Sequence, residues 1–318
     1  MFGLKLGVKN IKNYLYIALA IAAWSFEYIL IKAVAQQVSP LLSGAIIFVT
    51  AAICLYSFIL STRQQAESAK QISNNIGKIL LIGIIGTGCN ILWITGTAST
   101  AVANAAVLGR TDIIFSLILA ITIFHEKISK RALLFVPLVI FGLFLLLKHR
   151  IGQVSFGNSG DYMILGSAFL LSLNAFIIKH SMKNISGAAL ALGNCLINSL
   201  IFIGIQFFYK PRDCFAGCDY RTVGLLALCG VCSFIFFIGY YKSLKLFPVW
   251  EVRLLTLIVP VLVAFIGYIV FDSRLALPQL LGGILILFGA GAITVFNSNI
   301  KFILFKKTIA RSEQYVEI

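Results

Sequence analysis

The chain has 318 residues, of which 60% are hydrophobic and only 12% are charged. Soluble domains contain about 25% charged residues, so this composition excludes a soluble globular protein and predicts an integral membrane protein. The net charge is +15, but the basic residues lie between apolar runs and form no single charged face, which argues against nucleic-acid binding.

Ten apolar segments follow one another along the chain, and each is long enough to cross a hydrocarbon core of about 30 Å as a helix. They cover residues 13–34, 40–60, 77–98, 101–123, 131–148, 161–183, 187–209, 221–244, 250–271 and 277–297. The polar stretches between them are too short to bury a core of their own. We therefore expect an all-α integral membrane protein of ten transmembrane helices.

Lysine and arginine are distributed unevenly between the two ends of these segments. If the N-terminus is cytoplasmic, the loops, termini and adjoining span ends on the cytoplasmic side contain 16 basic residues, and those on the external side contain 6. The positive-inside rule then predicts that both termini are cytoplasmic. We expect a multi-pass protein of the cell inner membrane.

Five of the seven cysteines fall in apolar segments, where we expect them to pack as small hydrophobic side chains. Cys214 and Cys218 share a predicted external loop and are candidates for a small disulfide. No histidine or second cysteine pair accompanies Cys229 and Cys232, so the sequence implies no metal site. It also contains no nucleotide-binding loop, and we expect no cofactor.

The second half of the chain repeats the first at a constant offset. Phe124 aligns with Phe271 (271 − 124 = 147), and Lys32 aligns with Lys179 (179 − 32 = 147). Each half has five segments, an odd number, so the halves cross the membrane in opposite senses. Inverted repeats are typical of secondary transporters, in which the substrate binds near the midplane between the halves.

The repeat defines the predicted domains. The first five-helix repeat covers residues 1–148, a linker loop 149–160, the second repeat 161–297 and a cytoplasmic tail 298–318.

Three stretches resemble EamA-type carriers of the drug/metabolite transporter superfamily. W-S-F-E-Y-I-L-I-K at 24–32 resembles the family's first span, and residues 240–283 are similar to its later spans. H-E-K-I-S at 125–129 resembles the family's G-E-R-L-S after span four. The resemblance covers nearly the whole chain and implies ten helices around a central cavity lined mainly by spans 1, 3, 4, 6, 8 and 9. Glu27 and Asp112 depart from the family pattern, so the resemblance does not identify the solute.

Three charged residues near the middle of apolar segments are the first candidates for function. Each isolated charge there costs about 2.5–3.5 kcal/mol on insertion scales, so Glu27, Arg110 and Asp112 should face protein or water. Glu27 is either a functional carboxyl or a structural partner of Lys32 or Arg110. Arg110 and Asp112 lie about 200° apart on a helix, so we expect Arg110 to pair with another span, first of all with Glu27. Arg253 is expected to snorkel to the cytoplasmic end of its span.

The remaining candidates are aromatic and amide side chains. Trp24 lies on the same helical face as the carboxyl of the first span, and Asn174 is the repeat equivalent of that carboxyl. Trp93 and Tyr240 are equivalent to each other (240 − 93 = 147), and Asn90 shares the face of Trp93. We expect Trp93 and Tyr240 either to form walls of the cavity, facing each other across the substrate path, or to serve as packing and interface residues.

These features predict a secondary active transporter of a small organic metabolite, an amino acid or related solute, that works by alternating access. The family resemblance favours efflux over uptake. Protons are the candidate coupling ion, with Glu27 or Asp112 as the coupling group and the other as a structural partner of Arg110. The predicted partners are the solute and the lipid bilayer, with no nucleic acid.

The alternatives are a membrane-embedded lipid-modifying enzyme and a channel. An enzyme of that kind needs clustered carboxylates or a His–acid pair at one membrane face, and the three histidines are not spaced for this. A channel needs polar rings or a selectivity filter, and neither is evident in the sequence. We therefore expect no enzymatic activity.

The predicted topology can be tested with reporter fusions at two sites. A reporter fused after Ser298 should report the cytoplasm, and one inserted within 210–220 should report the outside, because the basic residues favour that orientation. Compartment-specific enzyme activity of the two fusions is the measurement. Signals from the same side would contradict the ten-span topology.

Overall fold

The computed structural model describes residues 8–34, 37–100, 102–126, 130–151, 157–209, 219–271 and 276–313. Cys214 and Cys218, the candidates for a disulfide, lie outside these ranges. All regular secondary structure in the described residues is helical. The α-helices are α1 (Val8–Val34), α2 (Pro40–Ser61), α3 (Gln65–Asn74), α4 (Ile76–Ser99), α5 (Val102–Leu108), α6 (Asp112–Thr122), α7 (Lys130–Leu133), α8 (Val136–Ile151), α9 (Ser159–Ser181), α10 (Gly187–Tyr209), α11 (Tyr220–Leu246), α12 (Val249–Leu255), α13 (Ile258–Phe271) and α14 (Leu277–Glu313).

Within the described ranges, ten helical stretches are long and apolar enough to cross a membrane, and they nearly coincide with the ten segments read from the sequence. The first is Asn13–Val34 and the last is Leu277–Phe296. The prediction of an all-α protein with ten transmembrane helices is therefore confirmed. The fourth span comprises α5 and α6, the fifth α7 and α8, and the ninth α12 and α13.

The fourth and ninth spans, each a single apolar segment in the sequence, are interrupted near the middle. A single 3₁₀ turn, Gly109–Thr111, separates α5 from α6. Thr256 and Leu257 separate α12 from α13, and Pro260 follows in the first turn of α13. The interruptions begin at equivalent positions (256 − 109 = 147). Discontinuous helices at corresponding positions of two repeats are typical of transporter binding sites.

The four pairs of spans that pack most extensively in the bundle each join one half to the other. The first span packs on the eighth, and the third packs on the sixth. These two pairs are equivalent under the repeat, because the sixth span corresponds to the first and the eighth to the third. The second span packs on the seventh and the fifth on the tenth. Each pair takes one helix from each half, so the centre of the bundle is the interface between the halves.

Two equivalent polar contacts show the repeat at the level of side chains. The Tyr14 hydroxyl donates to Glu251 Oε1 at 3.2 Å, and Asn104 Nδ2 donates to Asp161 Oδ1 at 2.8 Å. Tyr14 corresponds to Asp161 (161 − 14 = 147), and Asn104 to Glu251 (251 − 104 = 147). The same two positions therefore bond in both halves, with the acidic residue exchanged between them.

Close packing of the fifth and tenth spans depends on glycine. A Cβ at Gly282 would lie 2.5 Å from the Gly142 carbonyl oxygen and 2.6 Å from the Leu146 amide nitrogen, which are backbone atoms and cannot move aside. At Gly291, on the same helix, a Cβ would meet nothing within 4 Å. Of these two glycines of the tenth span, Gly282 is therefore required for the helix contact and Gly291 is not.

The substitution Gly282→Ala should destabilise the protein, because its methyl group would push the fifth and tenth spans apart. Overpacking of this kind costs about 1–3 kcal/mol. Gly291→Ala is the matched control and should leave the thermal midpoint unchanged or slightly raised, since alanine favours the helix. Thermal unfolding followed by intrinsic fluorescence in detergent is the measurement. Equal midpoints for the two variants would contradict the contact.

Candidate functional site

A cavity of 180 Å³ lies at the interface between the two halves. Residues from the first, third, sixth, eighth and ninth spans line it, as the family resemblance implied. Phe48 of the second span and Asn194 and Asn198 of the seventh also line it, whereas the fourth span does not. The sequence reading did not single out these three residues. The second and seventh spans enter because they pack on each other beside the interface.

Glu27 is the acidic group of this cavity. The Ser233 hydroxyl donates a hydrogen bond to Glu27 Oε1 at 2.8 Å. No lysine or arginine of the described residues lies within ion-pair distance of the Glu27 carboxyl. The expected pair between Glu27 and Arg110 is therefore wrong. Arg110 lies in the 3₁₀ turn of the fourth span, and its side chain extends into an adjoining cavity of 150 Å³, near the Tyr28 hydroxyl.

Asn174 occupies the same cavity at the position equivalent to Glu27. It is 7% exposed, and its Oδ1 atom has no hydrogen-bond partner among the described residues. Its Nδ2 atom is 3.3 Å from the point where a Cβ on Gly86 would lie. Gly86 is the repeat equivalent of Ser233 (233 − 86 = 147). The same contact therefore recurs in both halves, but a carboxyl meets a hydroxyl in one and an amide meets a glycine in the other.

Asp112 forms a buried ion pair with Arg253. Asp112 is 3% exposed and Arg253 is 1% exposed, so the expectation that Arg253 snorkels to the membrane surface is wrong. Arg253 lies in the last turn of α12 and Asp112 in the first turn of α6. These are favourable ends for a cation and an anion, because the helix dipole is negative at a C-terminus and positive at an N-terminus.

Arg253, not Arg110, is therefore the cation that meets one of the two carboxyls, and that carboxyl is Asp112. The fourth span was expected to supply a cation for one of the two carboxyls, and the ninth span supplies it instead. One signal for this was available in the sequence. Arg253 lies inside the predicted ninth span, 250–271, rather than in a loop.

A continuous aromatic wall bounds the cavity on one side. The Trp24 and Phe236 ring centroids are 5.0 Å apart, and those of Phe236 and Tyr240 are also 5.0 Å apart. Phe237 continues the wall at 5.5 Å from Phe236. Trp24 and Tyr240 were predicted as site residues, and the structure places both at this cavity.

Trp93 lies elsewhere. Its ring packs on the interruption of the fourth span, 2.6 Å from the point where a Cβ on Gly109 would lie. It lines the adjoining cavity and a third cavity of 510 Å³, whereas Tyr240 lines the central one. That the two rings face each other across one substrate path stays a prediction. Asn90 lines all three cavities, and its Nδ2 donates to Asn198 Oδ1 at 3.3 Å.

The 510 Å³ cavity leads from the central cavity to one end of the bundle. It shares Glu27 and Trp24 with the central cavity and reaches Pro40, where the second span begins, and Thr97, near the end of the third. We call this cavity the vestibule.

At the opposite end of the bundle, a polar cluster ties three spans together. Lys179 Nζ donates to Glu126 Oε1 at 2.7 Å and to the Phe247 carbonyl oxygen at 2.8 Å. Glu126 Oε2 accepts from the backbone amide of Val249, at the start of α12, at 2.8 Å. We call these four residues the latch. It joins the loop after the fourth span to the sixth and ninth spans, so it ties one half to the other.

Residues 11–148 and 158–295 match the profile of the EamA-like transporter family. The chain belongs to this family. The two matches correspond to the two five-helix halves, and they show that the protein is a multi-pass membrane protein of a transporter family.

Three relatives of the EamA protein are described as uncharacterized transporters. They come from Methanothermobacter thermautotrophicus (24% identity over 63% of this chain and 64% of the relative), Haemophilus influenzae (23%, over 78% and 83%) and Clostridium kluyveri (22%, over 91% and 94%). The chain thus spans slightly less than two thirds of the Methanothermobacter protein. A solved structure described as a crystal structure of a protein superposes with a TM-score of 0.75 at 16% identity. The superposition covers 91% of this chain and 98% of that one, and it shows a shared fold.

Removing one partner of the buried ion pair should destabilise the EamA protein strongly. Asp112→Asn leaves the Arg253 guanidinium buried without a counter-charge, which costs about 3–5 kcal/mol. The double variant Asp112→Leu/Arg253→Met removes both charges and should recover most of the loss. The measurement compares the thermal midpoints in detergent of Asp112→Asn, Arg253→Met, the double variant and the surface control Glu67→Gln. A double variant no more stable than Asp112→Asn would argue against the pair.

Proposed function

We propose that this EamA protein is a secondary active carrier of a small organic solute, of the size of an amino acid, and works by alternating access of its two inverted halves. The observation that carries the proposal is the central cavity. It lies between the halves, next to two interrupted helices, and it contains a carboxyl without a cation partner among the described residues. Midplane sites of this kind, between inverted repeats, are typical of secondary transporters.

The two ends of the bundle support alternating access. The vestibule extends from Glu27 toward one end, and the latch ties the halves together at the other. In the predicted topology the vestibule end is external and the latch end is cytoplasmic, so this arrangement is the outward-facing state. The latch includes an ion pair with side chains 32% and 11% exposed, against 1% and 4% for the pair of Arg253 and Asp112, so separating the latch pair costs less than separating the central pair.

Glu27 is the coupling group in this proposal, and Asp112 is structural. Arg253 compensates the charge of Asp112, whereas among the described residues the group that hydrogen-bonds to the Glu27 carboxyl is the Ser233 hydroxyl. A carboxyl without a cation partner can exchange a proton for another ligand as its surroundings change between the two access states. Among the described residues that line the central cavity or the vestibule or interact electrostatically with Glu27, the other titratable or charged side chains are Tyr28, Cys89, Cys195, Cys229, Cys232, Tyr240, Tyr241 and Arg253.

The direction of transport in the proposal is efflux. Protons entering from the outside through the vestibule would release the solute from Glu27 there. The return of the proton-loaded carrier would then deliver the proton to the cytoplasm. One carboxyl serving both ligands in turn couples the two fluxes without any nucleotide.

The proposal is tested in cells that express the wild type, Glu27→Gln or the surface control Glu67→Gln. Untargeted measurement of small solutes inside and outside the cells, with and without a protonophore, is the readout. The wild type and Glu67→Gln should lower the internal level of at least one organic solute, and the protonophore should abolish this. Glu27→Gln should lose the protonophore-sensitive efflux.

Three outcomes would overturn parts of the proposal. If wild-type cells match cells without the protein, the protein is not an exporter. If a solute equilibrates regardless of the protonophore, a channel is indicated. If Glu27→Gln retains protonophore-sensitive efflux, Glu27 is not the coupling group.

A further inference from the structure

We propose that the central cavity binds an organic ammonium ion, a primary amine on a flat apolar group, with Glu27 as its counter-ion. The inference rests on the proposed function to the extent that the solute occupies the same cavity. It names the chemical class of that solute, which neither the family nor the relatives define.

The charges of the cavity favour a cation. Of the described residues that line it, Glu27 and Arg253 are the charged ones. Asp112 neutralises Arg253, so the uncompensated charge belongs to Glu27. The Ser233 hydroxyl supplies a hydrogen bond but no positive charge. A carboxylate in a poorly hydrated site is costly unless a cation meets it, and a cationic ligand supplies what the protein does not.

The hydrogen-bonding groups point to the same class. Asn174 lines this cavity, and its Oδ1 atom is a buried acceptor without a hydrogen-bond partner among the described residues. Together with the Glu27 carboxylate, it offers acceptors from two different halves of the bundle. A primary ammonium carries three donors and no acceptor, as the lysine side chain does. An anionic solute would bring further acceptors to these oxygens and satisfy neither.

The aromatic wall fits the remainder of such a molecule. Trp24, Phe236 and Tyr240 form consecutive ring contacts beside the carboxyl, and aromatic faces attract ammonium groups. The cavity volume of 180 Å³ suits one small ring, since an engineered cavity of about 150 Å³ accepts benzene. The site therefore fits an amine with a ring-sized body, and the vestibule gives it a route of entry.

The test uses three probes of nearly the same size: 2-phenylethylamine, 2-phenylethanol and phenylacetate. They share the ring and differ in carrying a cation, no charge or an anion at neutral pH. Isothermal titration of the full-length protein in lipid nanodiscs, corrected with empty nanodiscs, measures their affinities. The amine should bind roughly 10- to 100-fold more tightly than the other two, because a charge-assisted hydrogen bond is made only by the cation.

Three variants locate the binding. Glu27→Gln should weaken amine binding by roughly 10- to 100-fold, whereas Glu27→Asp should keep the preference for the amine over the alcohol. Phe236→Leu leaves the carboxyl intact and should weaken amine binding by roughly 3- to 30-fold through the lost cation–π contact, which keeps the test open if Glu27→Gln folds poorly. Glu67→Gln, an exposed carboxyl on α3, should bind as the wild type does.

The inference is overturned if the alcohol or phenylacetate binds as well as the amine, or if folded Glu27→Gln binds the amine unchanged. Its failure differs from failure of the carrier proposal. Amine binding at Glu27 without any solute efflux would support the binding site and contradict the proposal that the protein is a carrier. Protonophore-sensitive efflux of a solute that has no ammonium group, with no amine binding, would support the carrier proposal and contradict the inference of an amine site.

Discussion

The buried ion pair between Asp112 and Arg253 is the constraint around which the centre of the protein is arranged. Two charges removed from water in a membrane are tolerated only when each compensates the other and sits in a favourable local field. Here the interrupted fourth and ninth spans supply that field, because the pair joins the N-terminus of α6 to the C-terminus of α12. With Arg253 committed to Asp112, Glu27 is left as the free charge of the cavity.

The two repeats form a nearly symmetric helical scaffold, and the side chains at its centre differ between them. Helix interruptions and end contacts recur in both halves, so the scaffold is nearly symmetric. At the centre the symmetry fails, because Glu27 corresponds to Asn174 and Ser233 corresponds to Gly86. A symmetric cavity would offer the same group to both halves. The two halves therefore give the cavity one acid and one amide, which differ in charge and in hydrogen-bonding capacity.

The sequence predicted the spans well because the length of an apolar segment is a local property. Polar or repeat-equivalent residues stand out in such segments, which is why Glu27, Trp24, Asn174 and Tyr240 were selected. It did not predict which charges pair. Asp112 and Arg253 are 141 positions apart, and their contact depends on how two helices meet. The sequence also did not predict the interruption of the fourth span. Its one local sign is Gly109, and glycine is common in membrane helices.

The difference in exposure between the two ion pairs has a consequence for the speed of the proposed transport cycle. A conformational step that separated Asp112 from Arg253 would add several kcal/mol to its barrier, and each 1.36 kcal/mol slows a step tenfold. Separation of Lys179 from Glu126 adds far less, since water reaches that pair. In the proposed carrier cycle, the faster route therefore keeps Asp112 and Arg253 paired and opens only the latch, so access of water to the latch acts on the rate of that step.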